Sequence, residues 1–322
     1  MNRDGHIVVT GGAGFVGSHL VERLLREGKS VVVIDDLSTG SLENLRTVSG
    51  QPRLRIFTAK VSEFPGLPEI VNDASAVYHL AAAVGVELVI RSPIRTIQNN
   101  LHETEAILEA ASATSVPLLV TSTSEVYGKS EKEVFSETDD LLIGPPTLGR
   151  WSYACSKLMD EFLALAFYYE RHVPVIIARL FNTVGPRQTG RYGMVLPRFI
   201  DAARKNEPLQ VYGSGRQTRC LCHVDDSVES LVRLMRASAW GQVFNIGSTQ
   251  EVSIIDLARK VIELARSNST IRLIPYEEAY AKGFEDMLRR KPCTDKLLAA
   301  IGFQPKTSLE AIISRMLEGS AE

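Results

Sequence analysis

Apolar residues in this chain fall into short unbroken runs, at 6–10, 31–34, 54–58, 76–80, 117–121 and 173–180. Runs of this length, rich in valine and isoleucine, read as buried strands. Between them the apolar positions recur at helical spacing. Residues 18–27 set Leu20, Leu24 and Leu25 on one face and stop at Gly28, and longer helical patterns cover 96–113 and 152–171. Strands apolar on both faces, alternating with helices, predict an α/β fold: a Rossmann-type doubly wound parallel sheet covered on both sides.

Beyond Asn182 the alternation loosens. Gly185-Pro186-Arg187 and Gly190-Arg191-Tyr192-Gly193 read as loops. Short strands are expected at 209–212, 243–246 and 271–275, and helices at 195–205, 225–235, 253–266, 295–300 and 309–318. This pattern suggests a Rossmann domain at 1–182, completed by about 215–250, and a smaller mixed α/β substrate lobe from 183–214 and 251–322.

Composition narrows the class. The 322 residues are 44% hydrophobic and 23% charged, with a formal net charge of −2. That suits a globular protein with a proper core and gives no basic field for nucleic acid. A nucleotide ligand therefore needs a local site. The start, Met1 to His6, is polar and lacks the pattern of a signal peptide. No apolar run reaches the ~18 residues of a membrane span, so a cytoplasmic protein without membrane contacts is expected. Of four cysteines, Cys220 and Cys222 form C-x-C, expected on one strand with both side chains in the core. The six histidines form no H-x-x-x-H pair, and no metal is expected.

The chemistry begins at Gly11-Gly12-Ala13-Gly14-Phe15-Val16-Gly17, between a strand and a helix. Glycines permit a tight turn and close approach of backbone to a pyrophosphate, which the helix N-terminus then attracts. Asp35 follows Gly17 by 18 positions, at the end of the next strand, with Asp36 beside it. A carboxylate there accepts bonds from ribose hydroxyls and repels a 2′-phosphate, which favours NAD over NADP. Leu80, Ala81 and Ala82, closing the fourth strand, are expected against the same cofactor, as is Asn100 near the nicotinamide half.

Thr121-Ser122-Thr123-Ser124-Glu125 follows the fifth strand. Hydroxyls and a carboxylate at a strand end are costly to bury without partners and point to a ligand. Downstream, Tyr153 and Lys157 stand one helical turn apart on one face. An ammonium beside a phenol stabilises the phenolate, so the pair makes a proton acceptor for a sugar hydroxyl while C4 gives hydride to NAD. Thr123 is expected to bond the same hydroxyl.

Gly11 to Gly17, Asp35, Thr123, Tyr153 and Lys157 together resemble an extended short-chain dehydrogenase/reductase of the NAD-dependent epimerase/dehydratase family. The resemblance covers nearly the whole chain. It implies a nucleotide-sugar substrate, most simply a UDP-sugar, and a homodimer formed through the helices at 96–113 and 152–171. Residues 179–187 are similar to the family's diphosphate segment, which assigns Asn182 to the substrate phosphate. Residues 211–219 resemble its nucleobase segment, which brings in Tyr212 and Arg219. Arg219 and Arg290 then clamp the diphosphate or sugar, a task that suits the planar guanidinium. Val84 and Gly85 are expected against the substrate.

Within that family, a 4,6-dehydratase typically reads Thr-Asp-Glu; here Ser124 takes the place of the acid. Thr123-Ser124-Glu125 and Arg290-Lys291-Pro292 instead resemble UDP-glucuronate decarboxylases. Ile143-Gly144-Pro145 with Arg150-Trp151 resembles a bacterial branch that makes a 4-keto-pentose. The resemblance implies oxidation at C4, loss of carbon dioxide from the 4-keto acid and re-reduction to UDP-xylose. Ser124 and Glu125 would orient the carboxylate or protonate C5, and Arg290 would bind the sugar acid. Two segments depart. Ala82-Ala83-Val84-Gly85 is closer to a UDP-sugar 4-epimerase, the alternative reading, and Ala59-Lys60-Val61 lacks the acidic residue that commonly meets adenine. A non-catalytic NAD-binding regulator is a remote third reading, against which intact Thr123, Tyr153 and Lys157 argue.

Overall fold

Residues 5–83, 92–190, 194–279, 287 and 289–318 are described by the computed structural model. In chain order the strands are β1 (His6–Thr10), β2 (Val31–Asp35), β3 (Leu54–Thr58), β4 (Ala74–His79), β5 (Leu118–Thr123), β6 (Val175–Leu180), β7 (Thr183–Val184), β8 (Leu209–Tyr212), β9 (Thr218–Cys220), β10 (Cys222–His223), β11 (Gln242–Ile246), β12 (Glu251–Ser253) and β13 (Ile271–Ile274). The main helices are α1 (Phe15–Arg26), α2 (Leu67–Asn72), α3 (Pro93–Ser112), α4 (Trp151–Arg171), α5 (Val195–Arg204), α6 (Val224–Ala237) and α7 (Ile254–Ala265). Three shorter ones follow, α8 (Tyr276–Ala279), α9 (Asp295–Ile301) and α10 (Leu309–Glu318).

Seven strands form one parallel sheet in the order β11-β6-β5-β4-β1-β2-β3. Alternate side chains divide between its faces. Val9, Val31 and Val33 join one apolar cluster, with α1 and α6. Val8, Val32 and Ile34 join the other, with α3 and α4. Burial on both faces explains why the strands read as unbroken apolar runs. The winding direction reverses between β1 and β4, and a crevice opens there at the carboxyl ends of the strands. A separate apolar cluster joins α5, α7 and α10 around Val211 and Leu257.

The helix after the glycine turn begins at Phe15, earlier than the expected residue 18. Gly14 supplies an extended N-cap, and Gly17 lies inside the first turn, where a Cβ would stand 2.1 Å from the Gly11 carbonyl oxygen. Close backbone packing, not helix propensity, fixes that residue. The helix expected from 96 begins at Pro93, whose missing N–H is harmless in the first turn. Cys220 and Cys222 are both buried but not on one strand. The chain switches at Leu221 from antiparallel pairing of β9 with β12 to parallel pairing of β10 with β7. The 3₁₀ turns Leu42–Val48 and Ser124–Tyr127 are too short to leave a period in the sequence.

Gly17→Ala is expected to destabilise the fold by about 1–3 kcal/mol, because backbone must move to admit the methyl group. A fall in the urea midpoint measures it; an unchanged midpoint would contradict the close approach.

Candidate active site

A cleft of about 340 Å³ occupies the crevice between β1 and β4. Gly11, Gly14, Phe15, Val16 and Gly17 line it, with Asp35, Asp36, Leu80, Ala81, Ala82, Thr123, Tyr153 and Lys157. The α1 N-terminus has no side-chain cap and no acidic residue in its first turn. Its first N–H groups therefore remain available to an anion. Gly11 has φ +69°, and a Cβ there would stand 2.7 Å from the Ala81 nitrogen. The glycine turn thus packs directly against the backbone that follows β4, an approach no side chain at Gly11 would allow.

Asp35 is held at the far side by two backbone donors, Ala13 N–H and Leu37 N–H, each at 2.9 Å. Burial raises its carboxyl pKa against the pull of those bonds. The Gly14 N–H also bears on it; two carboxylate oxygens offer about four acceptor sites, so capacity remains for a ribose hydroxyl. Asp36 accepts the Ser38 N–H at 2.9 Å. The 59–61 segment lacks its own acid, yet a carboxylate does line the cleft there. Glu103, reaching from α3, accepts the Val61 N–H at 2.6 Å and the Ser62 hydroxyl at 2.5 Å. These residues fit an adenine dinucleotide.

Asn100 is placed differently from the expectation. It is buried, its Oδ1 accepts the Ala83 N–H at 2.7 Å, and its Nδ2 donates to Ser156 Oγ at 2.9 Å. It fastens the strand-end segment to α4, while its neighbour Asn99 lines the cleft. Val84 and Gly85 lie outside the described residues.

At the inner end, Thr123 closes β5 and its hydroxyl accepts the Glu125 N–H at 3.2 Å. Tyr153 comes from the first turn of α4 and bonds the Thr123 hydroxyl. Burial pushes the Tyr153 phenol well above its ordinary pKa, the charges of Glu125 and Asp160 add to this, and the Thr123 bond opposes it. Lys157, one turn further along α4, is ion-paired. Its ammonium donates to Asp160 Oδ2 at 2.7 Å, and both side chains are almost wholly buried.

Glu125 is the most constrained group here. Arg150 Nη1 donates to its Oε2 at 2.8 Å, and Arg290 Nη1 approaches its Oε1 at 2.7 Å. Burial alone would raise the carboxyl pKa, but the Arg290 and Arg150 guanidiniums outweigh it and hold the value down at about 2. Arg150 precedes α4, and its guanidinium lies 4.7 Å from the centre of the Trp151 ring. Sequence reasoning took Arg150 as a family feature, without a partner. Only the fold brings it to Glu125. Asp160 was missed too, although i+3 spacing from Lys157 on a helix signals it. Ser124 is buried beside them.

The other expected substrate residues do not line the cleft. Asn182 has φ +37° and donates to the Cys220 carbonyl at 3.3 Å. Arg219 is buried and donates to the Thr218 and Met287 carbonyls at 2.8 and 2.9 Å. Tyr212 carries the Arg198 guanidinium 4.3 Å from its ring centre.

A family model described as GDP-mannose 4,6 dehydratase matches residues 8–316. The chain belongs to this family. It is 40% identical over 304 residues to a UDP-N-acetyl-alpha-D-glucosaminuronate decarboxylase of Bacillus cytotoxicus, covering 94% of each chain. It is 36% identical to UDP-glucuronic acid decarboxylase 2 of Arabidopsis thaliana, covering 97% of this chain and 67% of that one. Among solved structures, a UDP-glucuronic acid 4-epimerase from Bacillus cereus, in complex with UDP-glucuronic acid and NAD, superimposes with a TM-score of 0.87. It shares 27% identity, with 98% of each chain covered. Family members of both reaction types are thus similar to this chain over most of its length.

Because the folded-state pKa of Glu125 is depressed from 4.5 to about 2, its ion pairs stabilise the fold fully above the higher value and lose that contribution as pH falls through the lower. The contribution is on the order of 3 kcal/mol. In urea titrations the wild-type margin over Glu125→Gln should be constant near neutrality and shrink in acid. A margin independent of pH would contradict the clamp.

Proposed function

We propose that this protein is an NAD-dependent UDP-glucuronate decarboxylase that yields UDP-xylose. The observation that carries this reading is the Glu125 carboxylate clamped by Arg150 and Arg290 beside Thr123 and Tyr153. Gly11, Gly14 to Gly17, Asp35, Asp36, Leu80, Ala81, Ala82 and Lys157 would hold the cofactor. When bound there, NAD would supply the hydride acceptor, and later the hydride donor, for the sugar C4. Tyr153 takes the proton of the 4-hydroxyl, and Thr123 holds the same oxygen. Oxidation at C4 makes the C6 carboxylate that of a β-keto acid. The C5–C6 bond then breaks with loss of carbon dioxide, its electrons move toward the C4 carbonyl as an enolate, and C5 takes a proton from water. Arg290 pairs with the sugar carboxylate. Glu125, kept ionised by its arginines, orients this end of the site and is a poor proton donor. Ser124 stands where dehydration needs an acid.

Asn182, Tyr212, Arg219, Val84 and Gly85 complete the substrate side of the reading. The division into a Rossmann domain of 1–182, completed by about 215–250, and a lobe of 183–214 and 251–322 is part of it. The separate apolar cluster of α5, α7 and α10 supports that division. The 4-epimerase alternative uses the same Tyr153, Lys157 and Thr123, and similarity to the 4-epimerase favours it. We also place the protein in the cytoplasm; among the described residues no helix is long and apolar enough to cross a membrane. A homodimer through α3 and α4 is supported by exposed Ile94 and Ile97 on one and Met159, Phe162 and Tyr169 on the other. Phe162→Glu should then halve the sedimenting mass; wild-type protein sedimenting as a monomer would remove the dimer.

Incubation with UDP-glucuronate, and in parallel with UDP-N-acetylglucosaminuronate, should release carbon dioxide and give a UDP-pentose from the first. UDP-galacturonate with no carbon dioxide would instead establish epimerisation. Tyr153→Phe should slow turnover by about 10²–10⁴-fold while NAD stays bound; unchanged turnover would remove Tyr153 from the chemistry.

A further inference from the structure

A single buried carboxamide joins the two chain segments that meet at the Glu125–Arg290 ion pair. Asn245, on the edge strand β11, is wholly buried. Its Oδ1 accepts the Tyr127 hydroxyl at 2.8 Å. Its Nδ2 donates to the Phe135 carbonyl at 2.9 Å and to the Cys293 carbonyl at 3.4 Å. Both carbonyls can only accept, so they must face the amino group, and this fixes which way the amide points. The Asn245 N–H donates to Glu137 Oε1 at 2.8 Å, which ties the backbone at the same place.

Each end of the carboxamide leads to one member of the ion pair. Tyr127 closes the 3₁₀ turn that carries Glu125. Phe135 pairs with the segment that carries Arg290: its N–H donates to the Lys291 carbonyl and its carbonyl accepts the Cys293 N–H, both at 2.8 Å. The Phe135 ring stacks on Tyr127 with centres 4.8 Å apart, so the two arms also touch each other. Arg290 Nη1 then stands 2.7 Å from Glu125 Oε1. A further tie on the arginine segment, Arg289 to Glu251 of β12, is partly exposed and therefore weaker. Asn245 lies outside the cleft lining, so it acts only through these neighbours.

We propose that Asn245 is the positioning residue of the Glu125–Arg290 pair: its carbonyl oxygen holds the turn that carries the carboxylate, and its amino group holds the segment that carries the guanidinium. Both partners are thereby referred to one point on the sheet edge, although 165 positions separate them in the chain. An arginine side chain has many rotamers, and one ion pair orders it only if the two backbones are themselves fixed. An aspartate or a longer amide at 245 would not serve both carbonyls and the hydroxyl in the same way, since the site needs two donors and one acceptor within a short reach. The consequence for sugar binding rests on the reading that Arg290 meets an acidic sugar; the placement of the pair does not.

The test reads the coupling between the two side chains, with NAD at one saturating concentration and no sugar present. Urea unfolding of Glu125→Gln, Arg290→Gln and the double variant gives that coupling in the otherwise wild-type chain. The same cycle is run in Asn245→Leu, which removes the side-chain bonds at similar size. It is repeated in Tyr127→Phe/Asn245→Leu, where no hydroxyl is left without a partner and folding is protected. In both backgrounds the coupling should fall by about fivefold or more in equilibrium constant. Stability lost with the coupling intact would make Asn245 a core residue only and overturn the proposal. Binding gives a second readout. Wild type should bind UDP-glucuronate more tightly than UDP-glucose, and Asn245→Leu should lose about tenfold on the acid and about twofold or less on the neutral sugar. Equal losses on both would overturn the proposal. A wild type with no preference for the acid would count against the acidic-sugar reading alone, and the urea cycle would still decide what Asn245 does.

Discussion

The buried Glu161–Arg179 ion pair sets the geometry on which the reactive end depends. Arg179 of β6 donates from Nη2 to Glu161 Oε2 at 2.7 Å and from Nε to both carboxylate oxygens. The Ser122 hydroxyl of β5 donates to the same carboxylate. Removing two charges from water costs several kcal/mol per ion, so such a pair persists only in good geometry, with further bonds to help. It therefore fixes the rotation of α4 against two strands at once. Tyr153, Lys157 and Glu161 are spaced i, i+4 and i+8, so they share one face of that helix. Fixing Glu161 over β5 and β6 aims Tyr153 and Lys157 at the strand ends where Thr123 stands.

The same constraint extends beyond the helix. The Arg179 guanidinium lies 4.9 Å from the centre of the Tyr127 ring, and the Tyr127 hydroxyl donates to Asn245 of β11 at 2.8 Å. Burial pushes that phenol up to about 12, against Arg179 and its hydrogen bonds, so it stays a donor. Tyr127 ends the 3₁₀ turn that carries Glu125. One arginine thus coordinates helix, sheet and turn, and the turn presents its carboxylate to Arg150 and Arg290.

Much of this was legible in the sequence, for reasons that differ by element. The sheet announced itself because strands covered on both faces leave unbroken apolar runs. The glycine turn and Asp35 could be placed because close backbone approach and a strand-end carboxylate leave fixed spacings. Tyr153 and Lys157 share a helix face, and a local spacing records that directly. Arg150 and Arg290 meet at Glu125 across 140 positions of chain, and no spacing encodes such a meeting. The place of Asn100 was not legible, because a polar residue near a ligand path and one buried between two segments look alike before burial is known. Glu103 was hidden because the carboxylate came from a helix, not from the segment that lacked one. The C-x-C pair lies in the core as expected, but not on one strand, because the chain changes pairing partner at Leu221.

The charge state of Glu125 separates dehydration from the other chemistries of this family. Dehydration across C5 and C6 needs a proton for the leaving 6-hydroxyl, and the position that would donate it holds Ser124. A neighbouring Glu125 could substitute only if it were protonated near neutrality, and two guanidiniums prevent that. Decarboxylation places a different demand on this end of the site. The leaving group is carbon dioxide, which needs no proton, and in the proposed reaction the electrons it leaves behind pass to a C4 carbonyl that Tyr153 and Thr123 would hold. What the site must then supply is a cation for an acidic sugar and a rigid mount for that cation. In the proposed reading Arg290 would be that cation and the Glu125–Arg150 pair its mount, whereas a neutral hexose would leave the guanidinium without a substrate charge to bind.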